Sequence, residues 1–173
     1  TEDSDRINTV QPALAMATLH LTTIRRLLKL PQTNTVWEGD RRNLHSLNAE
    51  EKDDFEHKDC VIWLDSAEGM VRGMEMVSPH VGMEAIVRTL LRAMEVPQGY
   101  GKACRPQKVV VRDREIQFFL RGVLQELDIK IDYHAELPLI EALFQGLAET
   151  NDDRPPLLPQ AYEQPLLKTA QEI

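Results

Sequence analysis

The chain has few of the residues that build covalent or metal-bound frameworks. Only two cysteines occur among its 173 residues, Cys60 and Cys104, and they form neither a CxxC pair nor another metal-ligand spacing. We interpret both as reduced thiols, which fits a cytoplasmic protein. The five histidines are scattered, and no two have the spacing of metal ligands on one helix face. The sequence therefore predicts no metal centre built from these residues and no cofactor.

Long apolar runs are also missing, and we expect no secretory leader. The hydrophobic share is 42%, and no apolar run approaches the ~18 residues that a membrane-spanning helix needs. The first residues, TEDSDRIN, are polar and acidic, whereas a secretory leader begins with basic residues. We expect a cytoplasmic protein without a membrane span.

The common motifs of nucleophilic and phosphate chemistry are absent as well. No serine lies in a GxSxG elbow, and the pattern GxxxxGK[ST] does not occur. The nearest approach, Gly99 to Lys102 (GYGK), fits an ordinary connection. We therefore interpret the chain as a non-catalytic protein that acts through contacts with a protein partner, as an assembly or regulatory factor.

The charge balance bears on the kind of partner. The formal net charge is -8, which repels a phosphate backbone and disfavours nucleic acid. Basic residues do gather near the N-terminal segment, and we interpret them as a solvated polar face; they are Arg25, Arg26, Lys29, Arg41 and Arg42.

The clearest local pattern runs from Arg105 to Tyr133 and predicts a parallel βαβ unit. A β-branched run, Val109 to Val111, is followed by Asp113, a good N-cap for the next helix. The helix has one apolar stripe at helical spacing, formed by Ile116, Phe119, Leu120, Val123, Leu124 and Leu127. Alternating apolar residues up to Tyr133 then predict the second strand.

Similar patterns extend this unit to a domain over residues 60–149. The run CVIWLD (60–65) predicts a central strand, and residues 70–77 predict an antiparallel partner. Ser78 and Pro79 are typical of the start of a helix, and Pro138 begins a last amphipathic helix. The predicted order is ββαβαβα, an α/β domain with a mixed sheet.

The flanks of this domain follow other patterns. Residues 9–30 carry an apolar seam that predicts one amphipathic helix, with a β-hairpin as the alternative because three threonines lie within it. Residues 32–47 predict an irregular segment or a short strand, so that 1–47 form an arm. Residues 48–59 are highly charged and predict a linker, and residues 150–173 predict an extended, Pro-rich tail.

Three of these regions carry apolar residues that are candidates for contacts with a partner. The first is the seam of the arm, the second is a methionine stripe on the second strand, and the third is the tail. The candidate residues are Leu14, Leu21, Ile24, Leu28, Met74, Met76, Leu157, Leu158 and Tyr162.

A catalytic alternative is a metal-dependent phosphoryl-transfer enzyme of the ribonuclease H type, or a degenerate relative of one. Asp65 and Asp113 follow strands and Glu141 lies on a later helix, so three carboxylates could converge on Mg²⁺. Each also has a simpler interpretation: Asp65 opens a turn, Asp113 caps a helix, and Glu141 is a surface acid. Such a fold usually places three antiparallel strands before its first helix, and the sequence shows two.

Residues from about 60 to 147 resemble an uncharacterised domain family of cyanobacteria and other bacteria. The segments that carry the resemblance are VIWLD, LLRAMEVPQGYG, RPQKVVVRDREI, LRGVLQELDIKIDY and LPLIEALF. The resemblance implies a domain that occurs in larger or accessory proteins of a photosynthetic bacterium. It implies no activity and no catalytic residues. Where the family pattern has a glycine after the helix, this chain has Asp128.

Overall fold

A computed structural model describes residues 16–44 and 58–153 of the chain. These ranges contain four helices and five strands. In chain order they are α1 (Leu21–Leu28), β1 (Val36–Asn43), β2 (Asp59–Asp65), β3 (Met70–Val77), α2 (Glu84–Glu95), β4 (Lys108–Val111), α3 (Arg114–Glu126), β5 (Lys130–Tyr133) and α4 (Pro138–Asp153). No helix within these ranges is long and apolar enough to cross a bilayer.

The five strands form one mixed sheet in the order β3-β2-β1-β4-β5. The strands β1, β2 and β3 pair antiparallel, whereas β1 with β4 and β4 with β5 pair parallel. Trp37 marks the register at the centre, because it lies between Asp65 of β2 and Val109 of β4. The predicted α/β class with a mixed sheet is confirmed.

The strand β1 corrects the prediction for residues 32–47. An irregular segment or short strand was expected there, and the structure has an eight-residue strand at the centre of the sheet. This strand was not predicted because it contains several charged residues. Glu38 and Asp40 are buried in it, although acids rarely occupy central strands. The three antiparallel strands β1, β2 and β3 therefore precede helix α2. The charged segment 48–59, predicted as a linker, falls between two paired strands; only Lys58 and Asp59 of it are described.

Each face of the sheet has its own core. Helices α1, α2 and α3 cover the face that contains Trp37, Trp63 and Val109, and α4 covers the face that contains Ile62 and Val110. The strand β1 contributes a glycine to the first core. A Cβ atom at Gly39 would lie 2.1 Å from Cζ3 of Trp63, so only glycine lets the indole pack flat on β1.

The predicted βαβ unit is confirmed as β4-α3-β5. Asp113 caps α3, because its Oδ1 accepts the N–H groups of Glu115 at 2.7 Å and of Ile116 at 3.4 Å. The chain leaves α3 through Asp128, whose φ is 61°. Asp128 thus takes the left-handed conformation that glycine usually supplies after a helix.

The helix α1 is shorter than predicted. Of the seam predicted over residues 9–30, only Leu21–Leu28 is helical within the described residues, and residues 9–15 lie outside them. His20 is extended, with φ -67° and ψ 148°. Ala17 donates its N–H to the carbonyl of Phe119 at 2.9 Å. This tertiary hydrogen bond uses a backbone donor that a longer helix would direct along its own axis.

The start of α2 is also later than predicted. Ser78 and Pro79 were expected to begin the helix, and it begins at Glu84. The backbone between Pro79 and Glu84 binds Arg41 instead. The guanidinium of Arg41 donates to the carbonyls of Val81 at 2.8 Å and Gly82 at 3.1 Å. The last helix begins at Pro138, as predicted, and extends to Asp153, so residues 150–153 of the predicted extended tail are helical. The chain beyond Asp153 lies outside the described residues.

Candidate functional site

The sheet order creates a crevice between β1 and β4. The chain leaves β1 toward β2 on one side, and it leaves β4 through α3 toward β5 on the other. In open α/β sheets, the carboxyl ends of parallel strands at such a switch point are the usual place for a functional site. Four charged side chains meet there: Asp40, Arg42, Arg112 and Glu141. We call them the charged ring.

Asp40 is the buried member of the charged ring. It lies on β1 with a side chain that is 3% exposed. Side chains alternate along a strand, so Asp40 projects from the same face as Arg42. Its Oδ2 accepts Nε–H of Arg42 at 2.7 Å and forms an ion pair with Nε of Arg112 at 3.0 Å. One carboxylate oxygen therefore holds two guanidinium groups.

Glu141 completes the charged ring from the first turn of α4. Its Oε2 accepts Nη2–H of Arg42 at 2.7 Å and Nη1–H of Arg112 at 3.2 Å. The side chain of Glu141 is 48% exposed, so this is the solvent side of the ring. The four residues thus link β1, the end of β4 and the start of α4 by hydrogen bonds between opposite charges.

Arg42 is held firmly in its charged form. Partial burial disfavours the charge and lowers its pKa, but the hydrogen bonds and charges of Asp40 and Glu141 outweigh burial, and the net effect raises the pKa of Arg42. Its guanidinium also lies 5.3 Å from the centre of the Phe144 ring. The positive charge at this place is therefore permanent.

The second acid on β1, Glu38, accepts hydrogen bonds from backbone amides. Its two carboxylate oxygens accept the N–H groups of Ile140 at 2.9 Å and Leu139 at 3.4 Å, at the start of α4. The first amides of a helix lack partners within the helix, and a carboxylate also complements the helix dipole. Glu38 therefore docks α4 onto the sheet, and its oxygens are occupied.

The three carboxylates proposed from the sequence lie in different surroundings. Asp65 lies opposite Trp37, and its Oδ1 accepts N–H of Ala67 at 2.9 Å, which forms the turn after β2. Asp113 caps α3, and Glu141 belongs to the charged ring. In the part of the chain that the structure describes, no three Asp, Glu, His or Cys side chains are grouped so that they could hold one metal ion.

The predicted partner-binding residues are also distributed over several surfaces. On α1, Leu21 and Leu28 are exposed, whereas Ile24 is buried in the core, so the predicted apolar seam is divided between solvent and core. On the edge strand β3, Met76 is exposed and Met74 is half-buried. The remaining candidates, Leu14, Leu157, Leu158 and Tyr162, lie outside the described residues.

Sequence reasoning missed three members of the charged ring. Arg42 was grouped with Arg41 as a solvated basic face, but the two lie on opposite faces of β1 and contact different acids. Asp40 and Arg112 were not predicted as site residues. The available signal was the alternation of charge in Glu38, Asp40 and Arg42 directly after an apolar pair, which indicates a strand with one polar face.

The architecture is therefore a mixed five-stranded sheet, covered by helices on both faces, with a charged ring at its switch point. The family described as "Domain of unknown function (DUF6930)" matches residues 23–148, and this chain belongs to that family. No curated protein matches the chain.

Solved structures with a similar backbone include viral integrases. The catalytic core domain of HTLV-2 integrase in complex with magnesium, in its trimeric form, is 19% identical with a TM-score of 0.43, and the match covers 81% of this chain and 86% of that one. The simian T-cell lymphotropic virus intasome in complex with PP2A regulatory subunit B56 gamma gives 20% identity and a TM-score of 0.49, covering 80% of this chain and 48% of that one.

Proposed function

We propose that this domain is a non-catalytic protein-interaction module, an assembly or regulatory factor with a sheet of the ribonuclease H type and no phosphoryl-transfer chemistry. The observation that supports it is the charged ring. The buried carboxylate at the switch point, Asp40, accepts a hydrogen bond from Arg42 and forms an ion pair with Arg112, and the same two guanidiniums donate to Glu141.

Metal-dependent phosphoryl transfer has a different requirement. Paired metal ions need several carboxylate oxygens that are free to bind them. Here Oδ2 of Asp40 and Oε2 of Glu141 already accept hydrogen bonds from arginine, and the guanidiniums of Arg42 and Arg112 lie against both carboxylates. A divalent ion would have to displace both guanidiniums against their repulsion.

The alternative remains a metal-dependent phosphoryl-transfer enzyme, or a degenerate relative, using Asp65, Asp113 and Glu141. The three antiparallel strands that precede α2 favour it. The turn at Asp65 and the cap at Asp113 favour the interaction module, because both carboxylates have structural hydrogen bonds. If the domain has such chemistry, Asp40 and Glu141 are better placed than Asp65 and Asp113.

The partner and setting that we propose follow from charge, cysteine chemistry and the family resemblance. The net charge of -8 favours a protein partner over nucleic acid. Cys60 and Cys104 are buried and free, which is typical of the reducing cytoplasm. A cyanobacterial or other bacterial source is proposed from the resemblance of residues 60 to 147 alone.

Calorimetric titration with Mn²⁺ tests the non-catalytic proposal directly. We expect a flat isotherm for the full chain and no hydrolysis of DNA, RNA or an RNA–DNA hybrid in the presence of Mn²⁺. The matched variants are Asp40→Asn, in the charged ring, and Asp132→Asn, whose carboxylate pairs with Lys108 away from it. Mn²⁺ binding or hydrolysis that Asp40→Asn abolishes and Asp132→Asn preserves would refute the proposal.

A further inference from the structure

An apolar groove runs along the outer surface of α2, on the face of the sheet opposite the charged ring. It has a volume of about 550 Å³. Val87 and Leu91 of α2 form one wall, and Phe119 of α3 and Met16 line the other side. Met16 is 42% exposed although it is a large apolar residue.

The second wall is held in place by the backbone. The N–H of Ala17 donates to the carbonyl of Phe119, which fixes the extended segment 16–18 on α3. Gly122 lies beneath this segment, because a Cβ atom there would lie 3.2 Å from Cε of Met16. The second wall of the groove is therefore held by a backbone hydrogen bond, and the flexible thioether of Met16 lies at its rim.

Two arginines form a stripe beside the apolar wall. Arg88 and Arg92 line the groove and are spaced four residues apart, as are Val87 and Leu91, so α2 presents parallel apolar and basic rows. Arg88 donates to both carboxylate oxygens of Glu75, which raises the pKa of Arg88. The side chain of Arg92 makes no hydrogen bond or ion pair with any described residue, although, together with the hydrogen bonds from Arg88, its positive charge helps to lower the pKa of Glu75. The charged residues that line the groove are Arg88, Arg92 and, at one end, Glu84. The groove thus has more positive than negative lining residues, although the net charge of the chain is -8.

We propose that this groove binds an amphipathic helix of a partner protein, in which an apolar row lies beside an acidic row; this inference rests on the proposed interaction function. The apolar row fills the space between Leu91 and Phe119, and the acidic row lies against Arg92 and Arg88. Residues 84 to 92 of α2 span about 12 Å, which matches two turns of a helix. Matching rows at four-residue spacing are the usual way in which two helices pack.

Fluorescence anisotropy with the full chain tests this assignment. The probe is a labelled peptide of about 16 residues that repeats Ala-Leu-Glu-Ala and is long enough to populate a helix in water. Its control repeats Ala-Leu-Lys-Ala. We expect the glutamate peptide to bind at least about tenfold more tightly than the lysine peptide, a difference of about 1.4 kcal/mol.

A charge exchange in the protein sharpens the test. Arg92→Glu should weaken binding of the glutamate peptide about tenfold and strengthen binding of the lysine peptide, because the rim reverses its charge. Arg121→Glu is the matched control, since this exposed arginine lies on α3 outside the groove, over the ring of Phe118. It should leave both affinities unchanged.

Several outcomes would overturn the proposal. They are equal affinity for the two peptides, no binding of either, and equal effects of Arg92→Glu and Arg121→Glu. Binding that appears only after Leu14→Asp would assign the groove to the first residues of this chain. A dimer in sedimentation equilibrium that Arg92→Glu dissociates would assign it to a second copy. These outcomes are separate from the Mn²⁺ titration, which tests the interaction function independently of the groove.

Discussion

Arg112, the residue that follows β4, forms an ion pair with the buried carboxylate of Asp40 on the neighbouring strand, with 3.0 Å between its Nε and Oδ2 of Asp40. This contact joins two parallel strands at the crevice where the sheet order reverses. At this crevice the buried carboxylate therefore lies against a guanidinium.

The charge of Asp40 is predicted to be important for stability. Asp40→Asn leaves Arg42 and Arg112 without their buried counter-charge, and breaking a buried pair costs about 3 kcal/mol. The measurement is the free energy of unfolding in urea. The control, Asp132→Asn, removes a more exposed partner of Lys108, and exposed pairs contribute about 0 to 1 kcal/mol. Equal losses in the two variants would show that the charged ring has no special role in stability.

Two glycines are predicted to respond in opposite directions to alanine. Gly39→Ala should lower the free energy of unfolding by about 3 kcal/mol or more, because the new Cβ would overlap the ring of Trp63. Gly146→Ala should raise it by about 0.5 to 1 kcal/mol, since Gly146 lies within α4 and its Cβ would meet no atom within 4 Å. Urea titration of both variants checks this. A well-tolerated alanine at residue 39 would mean that β1 and Trp63 do not pack as described.

The residue after α3 is predicted to be improved by glycine. Asp128 has φ 61°, a conformation that costs a residue with a Cβ atom about 1 to 2 kcal/mol. Asp128→Gly removes this strain but increases the freedom of the unfolded chain, so we expect a net gain of a few tenths to about 1 kcal/mol. Glu126→Gly, at the end of α3, is the control and should cost up to about 1 kcal/mol. Differential scanning calorimetry should therefore show a higher Tm for Asp128→Gly, and an equal or lower Tm would contradict the prediction.

Cys60 is predicted to be inert while the protein is folded. Burial disfavours the thiolate and raises the pKa of Cys60 to about 12. The thiol should therefore resist an aromatic disulfide reagent at pH about 8 in buffer and react after unfolding in guanidinium. Rapid modification of the native protein at residue 60, located by mass spectrometry, would contradict the burial of β2.

The same pKa has a consequence for stability at high pH. Because folding raises the pKa of Cys60 from 9.0 to about 12, its contribution is complete below pH 9 and is lost as pH rises toward 12, where the unfolded chain is deprotonated first. The free energy of unfolding of the parent protein should fall more steeply between these pH values than that of Cys60→Ala. Parallel urea curves at several pH values measure the difference. Identical slopes would exclude the effect.

The βαβ unit could be predicted because its signals are local. Asp113 lies next to the amides that it caps, and the apolar stripe of α3 is visible as spacing along the chain. The strand β1 could not be found in this way. Its Glu38, Asp40 and Arg42 resemble a solvated segment unless their partners, the amides of α4 and Arg112, are known. The length of α1 was missed for a related reason, because Ala17 bonds to Phe119, which is remote in sequence.

The sequence by itself determined the class of fold and the order of elements from β2 onward. It also showed that the GxSxG and GxxxxGK[ST] motifs are absent. Periodicity, capping and motif spacing could be interpreted directly because they depend on residues close together in the chain. Only the tertiary structure decided that β1 is the central strand, that Asp40, Arg42, Arg112 and Glu141 meet, and that Val87 and Arg92 border an apolar groove with Met16. These relationships join residues far apart in sequence, and sheet order and helix packing bring them together.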